Sequence, residues 1–337
     1  MARKVKWGIL STADIGLVKV IPAMLAGEAT EVVAICSRDA GRAREAATRL
    51  GIPRAYGSYE ELLADDEIEV VYNPLPNHLH VPWTLKCLEA GKHVLCEKPV
   101  ALTAADVRTL IRAREASGLQ VGEAFMIKVH PQWLRVLELV RTGGIGRLRA
   151  VQGFFSYYKT DPANIRNIAD YGGGGIWDIG CYPVTTSRFV FGEEPTRVFA
   201  LLEYDPEMRI DRLSSAVMEF PSGHATLTAG TQLVPYQKMQ FFGTEKRIEI
   251  EVPFTIPPDR DAVLYVDPAG PLEDRISTER IPACDQYTLQ ADAFSRAVLG
   301  EGPVPGTLED AMANVAVLEA VYRSGKTGRP EAPQVPA

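Results

Sequence analysis

Nothing in this chain supports a disulfide framework, a membrane span or a polyanion-binding surface. The five cysteines, Cys36, Cys87, Cys96, Cys181 and Cys284, are odd in number, far apart and without a C-x-x-C pair. Disulfide-stapled scaffolds and structural zinc sites need the opposite pattern. The cysteines read instead as buried or partly buried thiols in a reducing, cytoplasmic compartment. No run of five or more basic residues occurs, and 36 Lys and Arg stand against 43 Asp and Glu, a formal net charge of −7. That balance disfavours nucleic acid and anionic membrane as partners. No stretch stays apolar over the roughly 18 residues that a membrane-spanning helix needs. The start, MARKVKWGIL, lacks the apolar core and small-residue cleavage site of a signal peptide. Internal repeats and low-complexity blocks are also missing. Glycine (28) and proline (24) are near ordinary frequency, which excludes the fibrous and disordered classes.

What is present is an α/β chain of 337 residues, 46% hydrophobic, long enough for two domains with separate cores. Residues 1–122 alternate short β-branched runs with helical patterns. Strands are expected at 5–10, 31–37, 70–76, 93–98 and 119–125, with helices at 15–27, 39–50, 58–64, 80–90 and 103–117. Asp39 and Thr103 read as N-caps, the latter with Asp106 three residues on. This rhythm implies βαβ units and a parallel sheet. From residue 123 the pattern changes. After a helix near 130–143 come alternating stretches at 147–158, 196–205, 212–220, 224–232, 236–243, 246–252 and 262–267. Helices near 285–299 and 307–323 follow, and the Pro-rich tail beyond 325 is expected to be loose. The second domain, 123–337, is thus an α+β domain with a large, mostly antiparallel open sheet.

Five motifs carry candidate chemistry. VKWGILSTADIG, residues 5–16, runs a strand into a helix, as a dinucleotide-binding turn does, but the G-x-G-x-x-G positions hold Ser11, Ala13 and Gly16. A helix N-terminus there suits a pyrophosphate, with a hydroxyl from Ser11 or Thr12. An ordinary strand–helix turn is the competing reading. In AICSRD, Ser37 and Arg38 stand where an NAD-preferring site carries an acidic residue. Arg38 suits the 2′-phosphate of NADP, or is simply a surface arginine. LCEKP puts Glu97 and Lys98 at the end of a strand, and Pro99 restricts the Lys98 backbone. YGGGGIWDIGCYPV places Asp178 and Tyr182 four residues apart, on one face of a helix. The glycine run either lets backbone approach a ligand or another chain, or is a flexible loop. NPLPNHLH makes a strand-end loop with Asn77, His78 and His80. It fits a nicotinamide contact better than a metal site, because no carboxylate or Cys is near in sequence. No metal is expected, and His93, His130 and His224 read as structural.

Taken together, these motifs resemble the Gfo/Idh/MocA oxidoreductase family along nearly the whole chain. E-K-P at a strand end, followed some 80 residues later by D-x-G-x-Y, is specific only in combination. The text NPLPNHLH and NIR…GGGGIWDIGCYPV is similar to the branch with glucose–fructose oxidoreductase, NADP xylose dehydrogenase and dimeric dihydrodiol dehydrogenase. The resemblance implies an N-terminal Rossmann doubly wound sheet that binds NADP, with NAD possible. It implies cofactor contacts from Ser11, Thr12, Ala13 and Ile15, from Ser37 and Arg38, from Leu75, Asn77 and His80, and from Glu97 and Lys98. It implies Lys98, Asp178 and Tyr182 as catalytic residues, with Tyr182 the acid/base. A free tyrosine titrates near 10, and a neighbouring cation lowers that value. Asn164 and Arg166 would join them in contacting a sugar-like or polyol substrate. A homodimer or homotetramer formed through the C-terminal sheet is expected. A nucleotide-linked keto-sugar or cyclic diol is the alternative substrate, and a non-catalytic redox sensor the alternative class. Ser11 and Ala13 depart from the fingerprint glycines. Tyr182 stands where inositol-dehydrogenase-like members carry His.

Overall fold

The computed structural model describes residues 3–268 and 276–336. The chain divides into two compact units. One comprises Met1–Val129 with Asp285–Met312, the other His130–Cys284 with Ala313–Ala337. The expected division at 122/123 is contiguous, whereas this one is not: a late segment returns to the first unit.

The first unit is built on a parallel sheet of β1 (Val5–Ile9), β2 (Thr30–Cys36), β3 (Arg54–Tyr56), β4 (Val70–Asn73), β5 (His93–Glu97) and β6 (Val121–Ala124). Their spatial order is β3-β2-β1-β4-β5-β6. That order reverses between β1 and β4, the point where an open α/β sheet leaves a crevice at its strand C-termini. Periodicity predicts five of the six strands. It misses β3, whose three residues are half-buried and too short to show a period. The expected helix at 15–27 is a π-helical turn, Gly16–Val20, leading into α1 (Ile21–Leu25). Then come α2 (Ala40–Leu50), α3 (Tyr59–Leu63), α4 (Asn77–Glu89) and α5 (Ala104–Ser117). The Asp39 carboxylate accepts from the Gly41 and Arg42 amides, and Thr103 Oγ1 from the Asp106 amide, so both predicted N-caps form.

The late segment joins this unit through helix Gln286–Val298. Trp7, fully buried on β1, donates from Nε1 to Ser295 Oγ at 3.0 Å and meets the Phe294 ring edge-on. The buried Asp292 carboxylate accepts from the Glu28 and Ala29 amides, each at 2.9 Å, and from Thr30 Oγ1 at 3.0 Å. Such contacts are invisible to local periodicity, because their partners lie more than 260 residues apart.

The second unit carries an eight-stranded sheet. Its strands are β7 (Leu148–Tyr158), β8 (Arg197–Tyr204), β9 (Asp211–Phe220), β10 (Gly223–Gly230), β11 (Gln232–Gly243), β12 (Arg247–Ile250), β13 (Ala262–Asp267) and β14 (Ser277–Ile281). The order is β14-β13-β12-β11-β7-β10-β9-β8, antiparallel throughout except for β7 against β10. β14 is an edge strand without a buried residue, so no apolar alternation announces it. Helix α6 (Pro131–Arg141) and a continuous helical run from Ile176 to Phe191 belong to this unit. The run is a π-helical turn, Ile176–Gly180, followed by α7 (Cys181–Phe191), which packs on β7 and β10.

The other sheet face holds exposed Phe199, Leu201, Val217, Tyr158 and Tyr236. The tail is not loose up to Ala332. Glu331 and Val198 exchange backbone hydrogen bonds at 2.8 Å, and the Ala332 carbonyl accepts from Arg323 Nη2. Among the described residues no helix is long and apolar enough to cross a membrane, and no cysteine is in a disulfide.

Asp292→Ala strips the acceptor from two amides and a buried hydroxyl. It should destabilise the chain by about 3 kcal/mol, the combined cost of donors left without partners. The shift of the urea-unfolding midpoint measures this, and a change within experimental error would refute the clamp.

Candidate active site

In the first unit the expected cofactor residues gather at the crevice side of the sheet. Leu10, directly after β1, donates its amide to the Tyr72 carbonyl of β4 at 3.0 Å, joining the two switch-point strands. Ser11 follows with φ +73°, the left-handed conformation for which the fingerprint normally uses glycine. Its hydroxyl is buried and has no hydrogen-bond partner in the protein. A buried unpaired hydroxyl costs free energy unless a ligand satisfies it. Its position after β1, beside Thr12, Ala13 and the helix start at Ile15, fits a phosphate group. Gly16 is less constrained than the fingerprint suggests, because an added Cβ would meet Ile21, Tyr72 and Pro74 only at ordinary contact distance.

Ser37, at the end of β2, is nearly buried and accepts from the Asp39 amide at 3.2 Å. Arg38 lies beside Tyr59, whose hydroxyl is pushed up in pKa by burial, with Arg38 pulling the other way. Thr12, Leu17, Arg42, Glu45, Ala46 and Arg49 line one cleft on this unit. Arg42 therefore adds a second guanidinium near the phosphate turn.

The loop after β4 differs from expectation. Asn77, His78 and His80 sit in the first turns of α4, which begins three residues earlier than its pattern suggests. His80 is 1% exposed. Its Nδ1 lies 2.8 Å from the Pro99 carbonyl and its Nε2 2.6 Å from the Leu75 carbonyl. Both ring nitrogens face backbone carbonyls, which only accept, so the neutral ring donates to one of them and sits packed between the loops that bear Leu75 and Lys98. Burial pulls its pKa down to about 4, with the two carbonyls opposing.

Glu97 accepts from Tyr72 Oη at 2.6 Å and from the Lys98 amide at 3.2 Å. The peptide bond from Lys98 to Pro99 is cis. The Lys98 charge reaches Tyr287, a residue of the returning segment. Burial pushes the Tyr287 hydroxyl up to about 12, Glu97 adds to that, and Lys98 opposes it. Tyr287 belongs to this charge cluster, although its text, DQYTLQ, marks only a helix start in sequence.

Asp178, Tyr182, Asn164 and Arg166 all lie in the second unit. Asp178 lies in the π-helical turn and Tyr182 at the start of α7, so the pair shares a continuous helical run. Asp178 Oδ2 accepts from Tyr157 Oη at 2.7 Å and from Arg166 Nε at 3.0 Å. The nearby Asp178 charge raises the Arg166 pKa against the cost of burial, and Tyr157 and Tyr182 add to it. Burial, then Asp178, pushes the Tyr157 pKa far up, so its phenol stays protonated and donates. Asn164 caps the short turn Ile165–Asn167 by accepting from the Arg166 amide. Tyr182 is 7% exposed, its ring set against Phe155 and Phe254. Tyr157 is a further residue the sequence did not single out; it lies next to the last residue of β7, where alternation alone marks it as sheet core.

The first unit thus carries a switch-point crevice with an unpartnered hydroxyl and a strand-end lysine, and the second a carboxylate and phenol on one helical run; the class, an NAD(P)-linked oxidoreductase, follows from the family and relatives this chain matches. The chain belongs to the Gfo/Idh/MocA family. The model for the oxidoreductase family with NAD-binding Rossmann fold matches residues 5–125, and that for the GFO/IDH/MocA C-terminal domain matches residues 133–249. The chain is 48% identical over 326 residues to an oxidoreductase of Rhizobium meliloti designated ORF334, covering 96% of this chain and 98% of that one. It is 38% identical over 327 residues to a D-xylose 1-dehydrogenase (NADP(+)) of Haloferax volcanii, with the same coverage of 96% and 98%. Its fold matches that of KijD10, a 3-ketoreductase from Actinomadura kijaniata solved with NADP and TDP-benzene. The TM-score is 0.89 at 31% identity, covering 96% of this chain and 98% of the other.

Proposed function

We propose that this protein is an NADP-dependent oxidoreductase that moves a hydride between nicotinamide and a carbinol or carbonyl carbon of a sugar or related polyol. The observation that carries the reading is the set of Lys98, Asp178 and Tyr182 on a chain of this family. The nicotinamide, when bound, accepts or supplies the hydride. Ser11, Thr12, Ala13 and Ile15 hold the pyrophosphate, and Ser37 and Arg38, with Arg42, hold the 2′-phosphate. Leu75, Asn77 and Glu97 complete the cofactor contacts, with His80 acting through the two loops it packs between.

Oxidation of a carbinol also removes a hydroxyl proton, and reduction of a carbonyl adds one. Tyr182 moves that proton, assisted by Lys98 and Asp178. Within the second unit, the Arg166 guanidinium lies in the field of Tyr182, and a neighbouring cation favours phenolate. Asp178 keeps that guanidinium in place, and Asn164 orders its backbone. A nucleotide-linked keto-sugar as substrate draws support from the likeness to KijD10, a 3-ketoreductase.

The exposed face of the eight-stranded sheet is read as the surface that joins copies of this chain into a homodimer or homotetramer. Five large apolar side chains lie on it: Phe199, Leu201, Val217, Tyr158 and Tyr236. A patch of this kind marks an interaction site.

Lys98→Met and Tyr182→Phe should each cut turnover by roughly 100-fold or more, with NADPH binding retained by fluorescence titration. Near-normal turnover in both would end the acid/base assignment. The substrate is read from a panel of aldoses, polyols and keto-sugars, with NADP⁺/NADPH and NAD⁺/NADH, by absorbance of the reduced nicotinamide. Arg38→Ala should weaken NADPH by about tenfold more than NADH; equal losses would remove the NADP preference. Leu201→Asp should shift the sedimentation coefficient toward a smaller species, and an unchanged coefficient would move the interface elsewhere.

A further inference from the structure

We infer that Asp211 is a positioning residue: its buried carboxylate seats against Gly174 and Gly175 and holds the first turn of the helix that carries Asp178 and Tyr182. This deepens the proposed reaction and rests on Asp178 and Tyr182 being its acid/base pair.

Asp211 opens β9 and is 1% exposed. Its Oδ2 accepts from the Ile176 amide at 2.7 Å, the first residue of the helical run, and from Ser214 Oγ at 2.9 Å. Its Oδ1 accepts from Tyr322 Oη at 2.6 Å. A buried carboxylate is tolerated only when donors compensate its desolvation, and here three protein donors do so. A negative charge at the start of a helix is also favourable.

Two of the glycines make room for this carboxylate. Gly174 takes φ +123°, and an added Cβ there would collide with Asp211 Oδ1. A Cβ on Gly175 would press on the Asp211 carbonyl and Oδ2, each at 3.2 Å. The run also folds back on the segment that bears Arg166, since the Gly174 amide donates to the Arg166 carbonyl at 3.0 Å. One carboxylate therefore fixes the helix start and the strand of backbone before it. Tyr322 extends the clamp, because its ring stacks on Trp177 at 5.5 Å and 29°. Trp177 immediately precedes Asp178.

The clamp has a titration of its own. Burial raises the Asp211 pKa to about 6, opposed by its donors Tyr322, Ile176 and Ser214. The titratable groups that sense its charge from neighbouring elements are Tyr322, Tyr204 on β8 and Tyr157 on β7. All three are raised in pKa, burial being the largest cause, so they stay protonated while Asp211 titrates. Above about 6 the carboxylate holds its three donors as an anion; below it, one oxygen carries a proton and the clamp weakens.

The test needs no substrate. Tryptophan fluorescence of the full chain, followed against pH, should show a transition at about 6 that Trp177→Phe and Asp211→Asn both lack. Tyr322→Phe keeps the stacking ring but removes a donor that favours the anion, so it should move the midpoint to higher pH. A transition that persists in Asp211→Asn, a midpoint unmoved in Tyr322→Phe, or no transition in the wild-type chain overturns the clamp. Should Asp211→Asn not fold, the Tyr322→Phe midpoint decides alone. With D-xylose and NADP⁺ as probes, Asp211→Asn should lower kcat at least tenfold with NADPH affinity unchanged. Tyr322→Phe should shift the acidic limb of kcat/KM upward in parallel with the fluorescence midpoint. Absence of turnover in the wild-type chain would count against the proposed substrate class, and the fluorescence arm would still decide the clamp.

Discussion

Each unit of this protein depends on a buried carboxylate that collects donors from segments far apart in the chain. In the first unit Asp292 accepts from the Glu28 and Ala29 amides and from Thr30, closing the turn that feeds β2. In the second, Asp211 accepts from the Ile176 amide, Ser214 and Tyr322. An unpaired charge in either place would cost several kcal/mol, whereas a fully bonded one orders everything it touches. The same device thus sets the approach to a switch-point sheet and the start of a helix with candidate catalytic residues.

The charge arrangement around the candidate site follows the same logic. In the first unit burial and the Glu97 charge raise the Tyr287 pKa, and the Lys98 charge opposes them. In the second unit Asp178 fixes the Arg166 guanidinium, and the neutral Tyr157 phenol donates to the same carboxylate.

Much of this was legible in the sequence. The βαβ rhythm announces the parallel sheet, because buried strands and amphipathic helices leave different apolar periods. Asp39 and Thr103 declare their helix starts by side-chain chemistry that acts within three residues. E-K-P and D-x-G-x-Y mark Lys98, Asp178 and Tyr182 by type and order. Other elements leave no local signal. β3 is too short and β14 too exposed to show alternation. The π-helical turns at Gly16–Val20 and Ile176–Gly180 carry the same apolar pattern as an α-helix. His80 reads as a loop residue near the cofactor, yet its two nitrogens face carbonyls that only the fold brings together. The tail looks loose by composition and is tied to β8 through Glu331.

The sequence by itself determined the class of each unit and nominated the candidate reactive groups, because propensity, capping and residue chemistry act over a few positions. Only the tertiary structure decided which groups are braced and by what. It returned residues 285–312 to the first unit, put Ser11 in a left-handed turn with a buried unpartnered hydroxyl, and made Gly174 and Gly175 the seat of Asp211. Those outcomes rest on burial and on hydrogen bonds between residues tens to hundreds of positions apart, and no local pattern encodes them.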